Sequence, residues 1–200
     1  MNLYTDHEQV ILASSSKTRI NYLKKYFEKA LAIEHKVQED DIKQEHKNLS
    51  FLDLVKLLAK SKAESIIKDY PDSIVIGSDQ ILICEGRLIN KSNNILEARE
   101  NLMKLRGKKH TLISSTYVIR NKKFYYEETK EAEMLFKKVS KNRIEEYLKE
   151  QKKNVLMSVG SYRIEDNEKY NFLKIIKGDY ETIIGFPLEN LKNKFREETQ

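Results

Sequence analysis

Hydrophobic and polar positions follow two different periods in the first third of the chain. Residues 9–13 form a short apolar run that predicts a β-strand. Residues 20–31, INYLKKYFEKAL, then place apolar side chains three and four positions apart, which predicts a helix. Residues 50–70 continue that helical period over about five turns, with Ser50 as the expected N-cap. This part of the chain therefore alternates strand and helix.

A β-rich segment follows. Residues 74–76, IVI, predict a strand that ends at a polar stretch. Beyond it, residues 80–84 are expected to fold against residues 87–90 as a hairpin. A helix is then predicted from Asn94 to Leu105, closed by Gly107.

The second half repeats this alternation. Residues 110–139 are strand material with a turn at 121–123, and residues 141–150 predict a helix. Residues 172–178 are strand-like, and a last helix is expected to begin near Pro187. Strands alternating with helices predict an α/β fold built on a mixed sheet.

Composition adds limits on the class of protein. Two hundred residues with 40% hydrophobic content suffice for a single domain, expected over residues 1–200. The net charge of +6 suits phosphate-rich partners, although the lysines are scattered along helical faces as on a solvated surface. The single cysteine, Cys84, excludes an internal disulfide and is expected to be a small buried hydrophobe in a strand. With no leader-like segment and no long apolar run, we expect a cytoplasmic protein.

The first candidate site is the polar loop ASSSKTR at residues 13–19, between a predicted strand and helix. Its hydroxyls, Lys17 and Arg19 suit an anion bound at a helix start. It lacks the glycines of a P-loop, and a serine-rich helix cap with a solvated arginine explains it equally well.

Two further candidates are an acidic cluster and a lysine. Carboxylates in QEDD, residues 38–41, are expected at the end of a strand, where they suit Mg²⁺ or form a charged loop. Lys62 lies between Ala59 and Ala63, two small residues that suggest close packing. Lys62 is interpreted either as an anion ligand or as an ordinary surface lysine.

The strongest candidate is Asp79, expected at the end of a buried strand with Lys91 placed across the hairpin. A buried carboxylate must be hydrogen-bonded, protonated or bound to metal, because burying it unpaired costs several kcal/mol. With only 4 histidines and no Ser-His-Asp order, the chain favours metal-assisted phosphoanhydride chemistry over acyl transfer.

Six segments in order resemble the motifs of the Maf-type nucleoside triphosphate pyrophosphatases. They are ILASSSKTR, VQEDDIK, LAKSKA, IGSDQILICEGRLINKS, ARENLMKLRGKKHTLIS, and VGSYRIED followed by IKGDYETIIGFPL. Each motif is modest alone, and their common order across nearly the whole chain is specific. The resemblance implies an elongated mixed sheet flanked by helices, with two lobes around a central cleft as in inosine triphosphatase. It also implies a homodimer.

The implied activity is hydrolysis of a nucleoside triphosphate at the α,β-phosphoanhydride, giving the monophosphate and pyrophosphate with a divalent cation, Mg²⁺ or Mn²⁺. By motif position, Asp79 matches the catalytic acid that activates water, and Glu39 helps to hold the metal with it. The residues that match substrate-binding positions are Ser16, Arg19, Lys62 and Lys91.

Several positions depart from the family pattern or vary within it. Thr18, Gln80 and Glu165 match positions that vary with substrate preference. At these positions Gln80 and Glu165 resemble the subgroup that prefers 7-methyl-GTP. A carboxylate also suits that base chemically, because it accepts hydrogen bonds from guanine and attracts the positive charge that methylation at N7 adds. Lys17 and Thr18 replace a proline and an arginine, a substitution that removes one bidentate phosphate contact.

Two more departures follow: Ser92 replaces a proline after the second lysine, and Asp166 replaces a glycine. A dTTP/UTP pyrophosphatase is the alternative within the same chemistry. A non-enzymatic regulator or nucleic-acid binder is the alternative outside it, supported by the positive charge, although no aromatic residues are interleaved on a basic strand face.

Overall fold

The computed structural model describes residues 8–198. Its seven strands are β1 (Val10–Ala13), β2 (Leu31–Ile33), β3 (Ile74–Cys84), β4 (Arg87–Ile89), β5 (Lys109–Arg120), β6 (Lys123–Phe136) and β7 (Leu173–Lys177). Its eight α-helices are α1 (Lys17–Leu23), α2 (Glu39–Glu45), α3 (Phe51–Ile67), α4 (Ile95–Leu105), α5 (Lys141–Gln151), α6 (Asn167–Tyr170), α7 (Tyr180–Ile183) and α8 (Glu189–Glu198). Among these residues, no helix combines the length and apolar character needed to cross a bilayer.

The strands form one open sheet in the order β2-β1-β3-β5-β6-β7, with β4 paired to β3. Strand β1 runs parallel to both β2 and β3, whereas β3 with β4 and β6 with β7 are antiparallel pairs. The predicted mixed α/β sheet is therefore confirmed.

The chain divides into two compact units. Unit 1 comprises the chain up to Asp79, Ser114–Lys130, and the chain from Ile184. Unit 2 comprises Gln80–Ile113 and Glu131–Ile183. One domain over residues 1–200 stays a prediction, and residues 1–7 and 199–200 of that range lie outside the described residues.

Unit 1 has a core between its parallel strands and helix α3. Ile11 and Val75 from neighbouring strands pack with Ala63 and Ile66 from the helix, all fully buried or nearly so. This packing holds α3 against the face of β3.

Unit 2 has an aromatic core. The rings of Phe136, Tyr147, Tyr170 and Phe172 lie with centroids 4.8–5.5 Å apart in successive contacts. Cys84 is buried in β3 and is a free thiol, as expected, and burial raises its pKa.

Several local predictions are confirmed. Helix α3 begins after Ser50, whose Oγ accepts a hydrogen bond from the Asp53 amide at 3.1 Å. The β5–β6 turn contains Asn121 and Lys122, both with positive φ, of 54° and 60°. The β3–β4 hairpin pairs Cys84 with the first residue of β4.

The helix predicted over residues 20–31 is wrong at both ends. Helix α1 begins at Lys17 because Ser16 caps it, and it ends at Leu23. Residues from Leu31 instead form a strand, since they pair in parallel with β1 in the register Ile11 to Leu31. Sheet pairing outweighs the local helical period there.

The prediction that Asp79 ends a strand is also wrong, because β3 continues unbroken from Ile74 to Cys84. Gly77 continues the ladder by pairing with Ala13. A Cβ on Gly77 would lie 2.1 Å from the carbonyl oxygen of Ala59 and 2.7 Å from the amide nitrogen of Ala63. Glycine is therefore required where α3 crosses β3.

Replacing Gly77 with Ala should lower the free energy of unfolding by about 3 kcal/mol, because the added methyl group overlaps the backbone of α3. Urea denaturation measures the change. Gly86→Ala is the control: nothing lies within 4 Å of its Cβ, but its φ of +73° makes an alanine strained by about 1 kcal/mol. Equal losses in the two variants would contradict the close-packing argument.

Candidate active site

Lys62 is the centre of a buried charge cluster in unit 1. Only 2% of this residue is exposed, so the interpretation as a surface lysine is wrong. Its ammonium group donates to Oδ1 of Asp79, which is 4% exposed, and lies 2.8 Å from Oε1 of Glu39. One lysine thus joins the two acids that the sequence singled out separately.

The neighbouring elements explain this meeting. Ala59 and Ala63 flank Lys62 on the face of α3 that packs over Gly77, two residues before Asp79. The acidic cluster was expected at the end of a strand, and this prediction is wrong. Glu39 is the first residue of helix α2. The preceding residues 34–38 form no strand, because β2 ends at Ile33.

Arg19 joins the cluster from α1. Its Nη1 donates a 2.7 Å hydrogen bond to the carbonyl oxygen of Ser78, the residue before Asp79. Burial lowers the pKa of Arg19, while the charges of Asp79 and Glu39 act in the opposite direction. Arg19 therefore adds a second basic side chain to the cluster of Lys62, Asp79 and Glu39.

The polar loop before α1 acts as a helix cap. Oγ of Ser16 accepts the amide of Arg19 at 3.4 Å, and the Ser16 amide donates to Oγ of Ser14 at 3.1 Å. Thr18 is half-buried within α1 and Lys17 is exposed. The helix-cap part of that interpretation is thus confirmed, whereas its solvated arginine is wrong, because Arg19 is partly buried and donates to the Ser78 carbonyl oxygen. The loop's anion-binding role stays a prediction.

The two carboxylates fit the donor chemistry of a hard divalent cation. Both lie against the ammonium group of Lys62, so one oxygen of each carboxylate points to the same place. No group of three His, Cys, Asp or Glu side chains gathers into a metal cluster within residues 8–198. Mg²⁺ nevertheless needs only one or two protein carboxylates when phosphate oxygens and water complete its shell.

Lys91 lies in unit 2, two residues after β4 ends, and is exposed. The next residue, Ser92, is buried, and its Oγ lies 2.6 Å from Oγ of Ser161 and accepts from Nδ2 of Asn101 at 3.0 Å. Ser92 therefore fixes the segment that carries Lys91 through its side chain.

Gln80 lies at the start of unit 2. Its Nε2 donates to the carbonyl oxygens of Thr182 and Ile183 at 2.9 and 3.0 Å. The side chain of Gln80 is therefore tied to α7.

Glu165 lies in a turn of 3₁₀-helix, Ile164–Asp166, with 30% of its side chain exposed. Its Oε1 is 3.5 Å from Nη2 of Arg163, a partner that the sequence analysis missed. Asp166 accepts a 3.0 Å hydrogen bond from the hydroxyl of Tyr147, so this departure from the family pattern has a structural role.

Comparison with known proteins identifies the family. The family model described as Maf-like protein matches residues 9–198, nearly the whole chain. The chain belongs to the Maf-like protein family.

Curated relatives of this Maf-like chain carry two names. A "Nucleoside triphosphate pyrophosphatase" of Granulibacter bethesdensis is 35% identical over 182 residues, covering 90% of this chain and 92% of the relative. A "7-methyl-GTP pyrophosphatase" of Bartonella henselae is 36% identical over 193 residues, covering 94% and 95%. A protein of that second name from Rhizobium meliloti is 32% identical over 192 residues, covering 94% and 95%.

A solved structure, the Staphylococcus aureus Ham1 protein, aligns with a TM-score of 0.38 at 14% identity. The alignment covers 63% of this Maf-like chain and 69% of that structure, a similarity too low to support a functional conclusion.

Replacing Lys62 with Met should lower the free energy of unfolding by about 3 kcal/mol, because it leaves two partly or fully buried carboxylates without their cation. Urea denaturation near neutral pH measures the loss. Lys60→Met is the matched control on the same helix, since Lys60 is exposed and pairs with Glu64 at 3.7 Å on the helix surface. That control should cost less than about 0.5 kcal/mol, and a similar value for Lys62→Met would contradict the proposed role of the buried pair.

Proposed function

We propose that this Maf-like protein hydrolyses a nucleoside triphosphate at the α,β-phosphoanhydride, releasing the nucleoside monophosphate and pyrophosphate. The contact of buried Lys62 with both Glu39 and Asp79 is the observation that carries the proposal. Desolvating three charges is costly, and such clusters concentrate at catalytic sites. The names of the curated relatives support the same reaction class.

Asp79 is assigned the role of general base. Its carboxylate accepts a proton from a water molecule as the water oxygen bonds to phosphorus and the α,β P–O bond breaks, so pyrophosphate leaves with the bonding electrons. The ion pair with Lys62 orients that carboxylate within the rigid strand β3. A fixed base avoids the entropic cost of ordering it during the reaction.

Positive groups are assigned to the phosphate oxygens. In unit 1 these are Arg19 and Lys62, together with the hydroxyl of Ser16, the residue that caps the helix carrying Arg19. In unit 2, Lys91 is exposed on a segment that Ser92 holds in place. Such cations stabilise the charge that develops on the leaving pyrophosphate.

Glu39 and Asp79 are the residues proposed to hold a divalent cation, Mg²⁺ or Mn²⁺. When bound, the ion would neutralise phosphate oxygens and withdraw charge from the reacting phosphorus. Lys62 supplies positive charge to the same two carboxylates and stabilises their proximity.

For the nucleobase of the substrate, we propose 7-methylguanine, with Glu165 accepting hydrogen bonds from its N1–H and N2–H₂ groups. A carboxylate also attracts the positive charge that methylation at N7 adds. The names of the Bartonella and Rhizobium relatives support this choice. A dTTP/UTP pyrophosphatase and a non-enzymatic regulator or nucleic-acid binder are kept as outcomes of the test. A homodimer and a cytoplasmic location remain predictions.

The deciding experiment is pyrophosphate release from 7-methyl-GTP, GTP, dTTP, UTP, CTP and ATP, with Mg²⁺ and with Mn²⁺. Asp79→Asn should lower kcat at least about 100-fold, because the amide is no proton acceptor. Asp72→Asn is the matched control, because Asp72 is exposed just before β3 and should leave turnover unchanged.

Full activity in the Asp79→Asn protein would refute the assignment of Asp79 as the general base. Salt-sensitive binding of RNA or DNA with no pyrophosphate release would favour the non-enzymatic alternative.

Replacing Glu165 with Gln tests the proposal that Glu165 recognises the nucleobase. We expect kcat/KM for 7-methyl-GTP to fall about tenfold and the preference to shift toward dTTP and UTP, because an amide loses the attraction for a cationic base. Glu168→Gln, a neighbouring exposed position, is the control. An unchanged substrate ranking in Glu165→Gln would contradict the assignment.

A further inference from the structure

The ammonium group of Lys62 has two sets of partners under the proposed function. In the structure it donates to Oδ1 of Asp79 and lies 2.8 Å from Oε1 of Glu39. During the reaction it is assigned to phosphate oxygens of the substrate, while the two carboxylates are assigned to a divalent cation. Whether both sets can be held at once depends on the space between the carboxylates.

That space is already filled by Nζ of Lys62. Oδ1 of Asp79 and Oε1 of Glu39 both lie within hydrogen-bonding distance of this one atom. Mg²⁺ binds carboxylate oxygens at about 2.0–2.1 Å, so an ion held by both oxygens would overlap Nζ or lie in direct contact with it. Two positive groups repel each other strongly at such a distance in a buried site, so the ion and the ammonium group exclude each other there.

The surroundings of Glu39 offer the ion no better place. Oε2 of Glu39 lies 3.9 Å from Nζ of Lys43, one turn further along α2. Oε1 also lies 3.5 Å from Nε2 of His35. Basic side chains therefore approach both oxygens of Glu39, and the place shared with Asp79 is where two acids face a single position.

The side chain of Lys62 can leave this place while its backbone stays fixed. Lys62 lies within the 17-residue helix α3, and its carbonyl oxygen accepts a hydrogen bond from Oγ of Ser65 at 2.8 Å. A flexible four-carbon chain joins the ammonium group to that helix. Lys62 can therefore exchange partners by rotation of its side chain, without loss of the packing between α3 and β3.

We propose that Lys62 is a tethered counter-ion, which holds the place of the divalent cation in the free protein and moves to the substrate's phosphates when the cation binds. This inference rests on the proposed function, which assigns the cation to Glu39 and Asp79. The negative charge of a triphosphate attracts the displaced ammonium group. The cation should therefore bind weakly to the free protein and more tightly when the nucleotide is present.

The competition is tested by equilibrium binding of Mn²⁺ without nucleotide, measured by electron paramagnetic resonance of the free ion. Lys62→Met should bind Mn²⁺ at least about tenfold more tightly than wild type, because the tethered competitor is gone. Lys60→Met, at an exposed position on the same helix, should bind as wild type does. Adding Asp79→Asn to Lys62→Met should abolish the tight binding. Equal or weaker affinity in Lys62→Met, or tight binding that survives Asp79→Asn, would overturn the inference.

The displacement is tested in the wild-type protein, so the result does not depend on the folding of a variant. Acetylation of each lysine by a water-soluble N-hydroxysuccinimide ester is followed by mass spectrometry, with Mn²⁺ or with sodium chloride of equal ionic strength. Mn²⁺ should speed acetylation of Lys62 several-fold, because its amine leaves the buried pair, and should leave Lys60 unchanged. An unchanged rate at Lys62 would overturn the inference.

These tests separate the inference from the proposed function. If wild-type protein released no pyrophosphate from any nucleotide, the proposed function would fail, while Mn²⁺ binding and acetylation of Lys62 would still decide the exchange of partners. If wild-type protein released pyrophosphate and Lys62→Met gained no affinity for Mn²⁺, the inference alone would fail.

Discussion

The ammonium group of Lys62, buried between the carboxylates of Asp79 and Glu39, is the interaction on which the unit 1 site depends. It requires α3 to approach β3 so closely that only glycine fits at Gly77. It also requires α2 to begin where Glu39 faces the same cation. The sheet register, the small residues on α3 and the start of α2 are therefore parts of one arrangement, whose result is a rigidly oriented carboxylate.

Stability alone does not explain this arrangement. A buried ion pair is often no better than apolar residues of the same volume, because desolvation offsets the attraction. The free-energy cost of desolvating these charges is more readily understood if the charged groups take part in catalysis. The groups assigned to the substrate in unit 2 are different, since Lys91 and Glu165 are exposed and are fixed by their neighbours, Ser92 in one case and Arg163 in the other.

Local patterns predicted most elements but not the contacts that define the site. Helix α3 was predictable because its period is long and Ser50 caps it, and the motifs of the family resemblance marked Asp79, Glu39 and Lys62. The burial of Lys62 was not predictable, because lysine on a helix is usually solvated and only the partner across the packing shows otherwise. The continuation of β3 through Asp79 was missed for a related reason. A glycine followed by polar residues usually indicates the end of a strand, but the conformation of Gly77 is decided by its pairing with Ala13 and by the packing of α3.

The most direct test of the central claim is a double-mutant cycle on the free energy of unfolding, using Lys62→Met, Asp79→Asn and the double variant in urea. If the Lys62–Asp79 pair organises the site, the sum of the stability losses in the two single variants should exceed the loss in the double variant by about 2 kcal/mol. Additive losses would show that the two side chains do not depend on each other, and would contradict the account.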